Sequence, residues 1–152
     1  MKRKPITIII LIITIFLCNI YYNITSAYYT ANNYSVTLWV DEAFLLCSPG
    51  ETVFVDVRLE NKCRRIISSD NGIFLSYHLL DVNGGGLEFD NQRSVIHPIN
   101  PFGTGKDAVG VAAPLEEGEY IVEIDLVEEN VAWFSLKGND ALRISLFVKS
   151  GI

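Results

Sequence analysis

The chain has 152 residues, of which 18 are acidic and 12 are basic, and its formal net charge is −6. This acidic balance argues against DNA, RNA and anionic lipid surfaces as ligands, because binding to a phosphate backbone depends on counterion release by lysine and arginine. The length suits one folded domain.

The N-terminus has the pattern of a secretory signal. Three basic residues at positions 2–4 precede the uncharged, mostly apolar run Ile6–Leu17, as in the first two regions of a signal peptide. A more polar stretch then ends in Thr25-Ser26-Ala27, whose small side chains suit signal peptidase. The pattern predicts a signal peptide over residues 1–27, cleaved after Ala27.

Two alternatives to cleavage remain open. Residues 6–24 approach the ~20 residues that span a bilayer, so this segment is also compatible with an uncleaved membrane anchor. Cys18 is a candidate lipidation site, although such sites favour a small residue where Leu17 stands. In each case we expect a secreted or cell-envelope, extracytoplasmic protein. After cleavage, residues 28–33 would form a linker and residues 34–152 one domain.

Loss of residues 1–27 would leave 125 of the 152 residues. Because Lys2, Arg3 and Lys4 are the only charged residues removed, the formal charge would change from −6 to −9. A charge of this sign mainly favours solubility.

Alternation of apolar and polar residues predicts strands along the rest of the chain. In chain order, these strands cover residues 34–40, 51–61, 73–80, 87–89, 109–114, 118–126, 131–134 and 142–149. Turn signals separate them, including Ser48-Pro49-Gly50 and the glycine turn at 82–86, while 41–50, 61–72 and 93–106 are predicted connections. About seven to nine short strands at this spacing predict an all-β, immunoglobulin-like antiparallel β-sandwich.

The segment Gly118–Ser135 predicts one hairpin of this sandwich. Tyr120, Val122, Ile124 and Leu126 share one face, and the apolar group at 131–134 follows an acidic turn. By alternation, one of Trp133 and Phe134 must face inward, and the pattern leaves open which one.

Cys47 and Cys63 are predicted to remain unpaired. A straight strand over residues 51–61 would separate its ends by roughly 30 Å. A disulfide needs Cα atoms within about 7 Å of each other.

Four motifs in one order resemble an Ig-like accessory module of bacterial proteins. They are the turn Ser48-Pro49-Gly50-Glu51 before a Val-rich strand ending at Asn61, the strand Ser76-Tyr77-His78-Leu79-Leu80-Asp81 with its glycine turn, Asp90-Asn91-Gln92-Arg93, and the stretch from Ala113 to Phe134. Modules of this kind are attached to glycosyltransferases and other polysaccharide-related proteins. The resemblance covers about residues 48–148 and implies a non-catalytic sandwich that contacts glycan or a neighbouring domain.

The residues themselves indicate no catalytic site, no metal site and no cofactor. His78 lies in mid-strand and His97 in a proline-rich loop, and neither accompanies a recognisable nucleophile motif. Asp81-Val82-Asn83-Gly84 predicts a turn rather than a calcium-binding loop, because its glycine comes earlier than in such a loop. The acidic group of Asp125, Glu128 and Glu129 is predicted to form a solvated turn, and a calcium-binding site is the alternative.

Aromatic residues provide the candidate ligand site, because sugar rings stack on aromatic side chains while polar groups bind the hydroxyls. The main candidates are Trp133, Phe134, Tyr77 and His78, with Trp39 and Phe89 as further aromatic residues. We therefore expect an exported, non-catalytic binding module that contacts surface or extracellular glycan. The alternative is a structural or protein-binding module of the envelope, docking through the semi-apolar face of Phe74, His78 and Leu80.

Overall fold

The structure, a computed structural model, describes residues 4–42, 44–88 and 91–151. It begins with one helix, α1 (Lys4–Asn33), which contains the proposed linker residues 28–33. Nine strands follow in the described residues: β1 (Val36–Trp39), β2 (Phe44–Cys47), β3 (Thr52–Asn61), β4 (Ile73–Asp81), β5 (Gly86–Glu88), β6 (Thr104–Ala112), β7 (Gly118–Glu128), β8 (Ala132–Trp133) and β9 (Leu142–Val148). Over this part of the chain, we find no helix with both the length and the apolar character of a membrane span.

The strands form two sheets that pack face to face. The smaller sheet has the order β1-β3-β6, and the larger has the order β2-β9-β7-β4-β5, with β8 paired to β7. All of these pairs are antiparallel except β2 with β9. The all-β sandwich predicted from the sequence is confirmed.

The core lies between the sheets and combines inward strand residues with residues of the connections, such as Ile67 and Ile96. Val55, Val57 and Leu59 of β3 face the interior, and all three are buried. The central strand β7 contributes Val122, Ile124 and Leu126, also buried. Full burial of an aliphatic side chain stabilises by about 1.5–3 kcal/mol, so these two strands make a large contribution to folding.

The connection predicted over residues 41–50 contains a strand, β2, that the sequence pattern did not predict. Phe44 and Leu46 are exposed while Leu45 and Cys47 are buried, so the segment alternates by position although all four residues are apolar. The sequence therefore shows no alternation of apolar and polar residues that would have predicted this strand. The partner of β2 is β9, about one hundred residues further along the chain, and Phe44 lies opposite Ser145.

Cys47 and Cys63 are both buried, free thiols, as predicted. The Sγ atom of Cys63 lies 3.4 Å from the backbone oxygen of Ser35, whereas the Sγ of Cys47 lies 3.9 Å from the backbone oxygen of Phe147. Burial raises the pKa of each thiol, so both are protonated at neutral pH.

Candidate functional site

The hairpin of β7 and β8 determines the directions of the two aromatic residues at its end. Trp133 lies opposite Val127 of β7, on the outer face of the larger sheet, and is half-buried. Phe134 is fully buried and meets the ring of Tyr34 edge-to-face, with 4.9 Å between ring centroids. Trp133 is thus the outward member of the pair, and Phe134 belongs to the core.

His78 and Arg93 lie against Trp133, and Glu129 pairs with Arg93. We call these four residues the Trp133 cluster. The ring centroids of His78 and Trp133 are 4.1 Å apart, and the Arg93 guanidinium lies 5.1 Å from the indole centroid. Arg93 Nε in turn lies 2.5 Å from a Glu129 carboxylate oxygen. The cluster combines an aromatic surface with an ion pair, a mixed character that suits polar ligands.

His78 lies on the outer face of β4, where the sequence placed it, but it is buried. Leu80 on the same face is also buried, and Phe74 is half-buried. The semi-apolar face proposed for docking is therefore largely inaccessible at β4.

Tyr77 points in the opposite direction to His78 and lies in the core. Its hydroxyl oxygen accepts a hydrogen bond from the backbone N–H of Ala112 at 2.9 Å, which links the two sheets. Burial raises the pKa of this phenol. The structure thus separates Tyr77 and Phe134 from the other two sequence-predicted residues, His78 and Trp133, which it brings together.

The acidic residues at the end of β7 do not converge on one point. The Asp125 carboxylate is buried and accepts backbone N–H groups of Leu126 at 2.7 Å and Ser135 at 3.1 Å; burial raises its pKa. Glu128 and Glu129 pair with different arginines, Arg65 and Arg93. Of the residues that the structure describes, no three acidic, histidine or cysteine side chains are grouped as a metal site would require.

The remaining candidates lie elsewhere. Trp39, at the end of β1, is half-buried. His97 is exposed, and its Nδ1 lies 2.5 Å from the buried Asp107 carboxylate. Phe89 falls outside the described residues.

A second surface on the larger sheet was missed from the sequence. Phe44 and Leu46 of the edge strand β2 are 56% and 50% exposed, and the Phe44 ring contacts that of Phe147 edge-to-face at 5.9 Å. Ile121 of β7 is half-buried and lies opposite Ser145, the residue of β9 that pairs with Phe44 on its other side. We call these four residues the outer apolar patch: Phe44, Leu46, Ile121 and Phe147. The sequence carried no signal for this patch, because residues 44–47 are all apolar and the other two residues come from β7 and β9.

Comparison with known proteins finds similarity among solved structures. No protein-family profile matches the chain, and no curated protein matches it significantly in sequence. Similar solved structures include the CARDB domain of a Pyrococcus furiosus protein in complex with di-metal ions, at 13% identity and a TM-score of 0.46, covering 75% of this chain and 90% of that domain. A PapD-like domain of human CEP192 has 18% identity and a TM-score of 0.41. The match covers 79% of this chain and 87% of that domain.

A β-glucosidase from Listeria innocua in complex with glucose has 11% identity and a TM-score of 0.51, and the match covers 78% of this chain and 16% of that enzyme. At these identities the likeness concerns the fold alone. The chain is an Ig-like β-sandwich, a fold that accommodates many unrelated functions.

Proposed function

We propose that this chain is an exported, non-catalytic interaction module that docks another protein on the outer apolar patch. The observation that carries the proposal is the exposure of Phe44 and Leu46 on the same face of an edge strand. Scattered apolar residues are normal on protein surfaces, whereas contiguous ones typically mark interaction sites.

The backbone of β2 supports the same conclusion. β2 pairs with β9 on one side and lies at the edge of the larger sheet, so its other side is available for pairing within the described structure. Edge strands with exposed apolar side chains invite association with another chain. A partner can therefore combine apolar contacts with backbone hydrogen bonds.

The non-catalytic part of the proposal is supported by the position of His78, which is buried and packed against Trp133. Export is supported by the signal-like pattern of residues 1–27.

The proposal is tested by purifying tagged chain from its native cells and identifying bound proteins by mass spectrometry. The double variant F44S/L46S is expected to lose a partner that the wild-type chain retains. Phe54→Ser is the matched control, because Phe54 is 75% exposed on a strand of the other sheet. Identical sets of bound proteins from all three chains would refute docking on the patch.

A second candidate ligand is carbohydrate at the Trp133 cluster. It is favoured by one observation, a half-buried indole bordered by the Arg93–Glu129 ion pair. The resemblance to modules of polysaccharide-related proteins adds support. On a glycan array, binding would disappear in Trp133→Ala and persist in F44S/L46S; failure of the wild-type chain to bind any glycan would eliminate this candidate.

A further inference from the structure

A groove of about 420 Å³ opens between the two sheets. It lies at the end of the sandwich opposite to the end where α1 leads into β1. The edge strand β5 forms one wall, and the loop after β6 forms the other. Its principal lining residues are Leu79, Leu87, Glu88, Leu115, Glu116 and Tyr120. The volume lies within the range of about 300–1,000 Å³ that is typical of ligand pockets.

The loop wall of this groove is fixed in place by hydrogen bonds. The Tyr120 hydroxyl donates to the backbone oxygen of Glu116 at 3.0 Å, and the Gly50 N–H donates to the backbone oxygen of Pro114 at 3.1 Å. Leu115, between these two anchors, is nevertheless 84% exposed. The loop thus holds a large apolar side chain in solvent at the mouth of the groove.

The charge of the groove has one sign. Its described lining includes the two acidic residues Glu88 and Glu116 and neither lysine nor arginine. Glu88 lies opposite Leu79 in the pairing of β5 with β4, and Leu79 is part of the core. The pairing is irregular at this point, between Leu79 and Leu80, and Glu88 is exposed at the edge of the groove.

Two glutamates without a basic residue in the described lining make the groove favour cationic over anionic ligands. Lysine and arginine combine a charged end with an apolar stem, which can lie along apolar surface while the charge reaches a polar site. The leucines of the groove match the stem, and the two carboxylates match the charge.

We propose that this groove binds a basic side chain, arginine or lysine, of a partner polypeptide. The stem packs between Leu87 and Leu115, and the cationic end is held by Glu88 and Glu116. The site is separate from the outer apolar patch, and its occupancy does not depend on the docking proposed there.

The proposal is tested by titrating the isotopically labelled full chain, in a zwitterionic detergent, with N-acetyl-Gly-Arg-Gly-amide while amide NMR shifts are recorded. Saturable shifts are expected at Leu87, Glu88 and Leu115. The same peptide with citrulline, a neutral analogue of arginine, is expected to bind much more weakly because it lacks the charge.

The double variant E88Q/E116Q should bind the arginine peptide about fivefold to tenfold more weakly, since exposed ion pairs contribute modestly. Glu60→Gln, which removes a carboxylate from β3, serves as the control and should bind like the wild-type chain. The NMR spectrum of each variant also reports whether it is folded. Equal binding of the arginine and citrulline peptides, or an arginine titration without saturable shifts in the groove, would overturn the proposal.

Discussion

Trp133 and Phe134 are neighbours in the chain, yet their side chains have different surroundings. Phe134 is enclosed in the core beside Tyr34, while Trp133 covers His78 on the outer face of the sheet. The first contributes mainly through apolar burial. The second contributes through an aromatic pair and a cation–π contact, which are each worth about 1 kcal/mol.

Phe134→Ala is therefore expected to lower the free energy of unfolding by about 3–5 kcal/mol, the usual cost of truncating a buried aromatic residue. Trp133→Ala should cost about 1–2 kcal/mol, because only partial contacts are lost. Urea unfolding of the two variants measures the difference. Equal losses would contradict the assignment of Phe134 to the core and Trp133 to the surface.

Arg65 and Glu128 form a two-point ion pair near the end of α1. Arg65 Nη1 and Nη2 donate to the two carboxylate oxygens of Glu128 at 2.8 and 2.7 Å, and Arg65 Nε donates to the backbone oxygen of Asn33 at 3.1 Å. The arginine hydrogen bond holds the pKa of Glu128 below its ordinary value.

Glu128→Gln should lower the free energy of unfolding by about 1 kcal/mol at neutral pH, since the pair is only partly buried. Because the folded-state pKa is depressed, the stabilisation is fully present above the unfolded-state pKa of about 4.3. It is lost as the pH falls through the folded-state value. Urea unfolding across this acidic range should show the wild-type and variant curves converging; a constant difference would exclude the ion pair as its source.

At the scale of elements, the connection before β6 is held to the sandwich at several points. Ser94 pairs with Leu75, and Ile99 pairs with Ile67, as isolated β-bridges. Between them, Asp107 of β6 accepts the backbone N–H of His97 at 3.1 Å and contacts its ring. This contact raises the pKa of His97.

The His97–Asp107 contact should make the attachment of residues 94–99 depend on pH. A raised folded-state pKa means that the contribution is fully present below the unfolded value of about 6.5 and is lost as the pH rises through the folded value. NMR titration of the His97 ring should give a midpoint above 6.5 that falls in Asp107→Asn. An unchanged midpoint in that variant would show that Asp107 is not the cause.

The sequence predicts some elements much better than others. β3 and β7 alternate clearly, so both their extent and their inward residues were predicted. β2 was missed because its outward positions are apolar as well, which removes the contrast that marks a strand. The direction of Trp133 depends on its pairing with β7, and alternation alone could not choose between it and Phe134.

At the scale of the whole molecule, the outer apolar patch could not be predicted because its residues come from β2, β7 and β9. Phe44 and Phe147 meet only through the parallel pairing of β2 with β9. The Trp133 cluster similarly combines side chains from β4, β8 and the loop at Arg93. Sequence reasoning identified Trp133 and His78 individually but had no means of finding their arginine and glutamate neighbours.

The two cysteines of the sandwich provide a test of its global integrity. In the Cys18→Ser variant, a chromogenic thiol reagent should detect almost no reactive thiol in the native protein, because Cys47 and Cys63 are buried and burial raises the pKa of each. After unfolding in denaturant without reductant, both thiols should react. Failure to detect them after unfolding would indicate a disulfide.

The measurement that tests protein docking on the outer apolar patch most directly is site-specific photo-crosslinking in the native cells. A photoreactive phenylalanine analogue is introduced at Phe44 in one chain and at Phe54 in another, since both side chains are exposed and lie on strands of opposite sheets. Docking on the patch predicts a discrete cross-linked product from position 44 that is absent from position 54. Products that are absent from position 44, or the same from both positions, would contradict it.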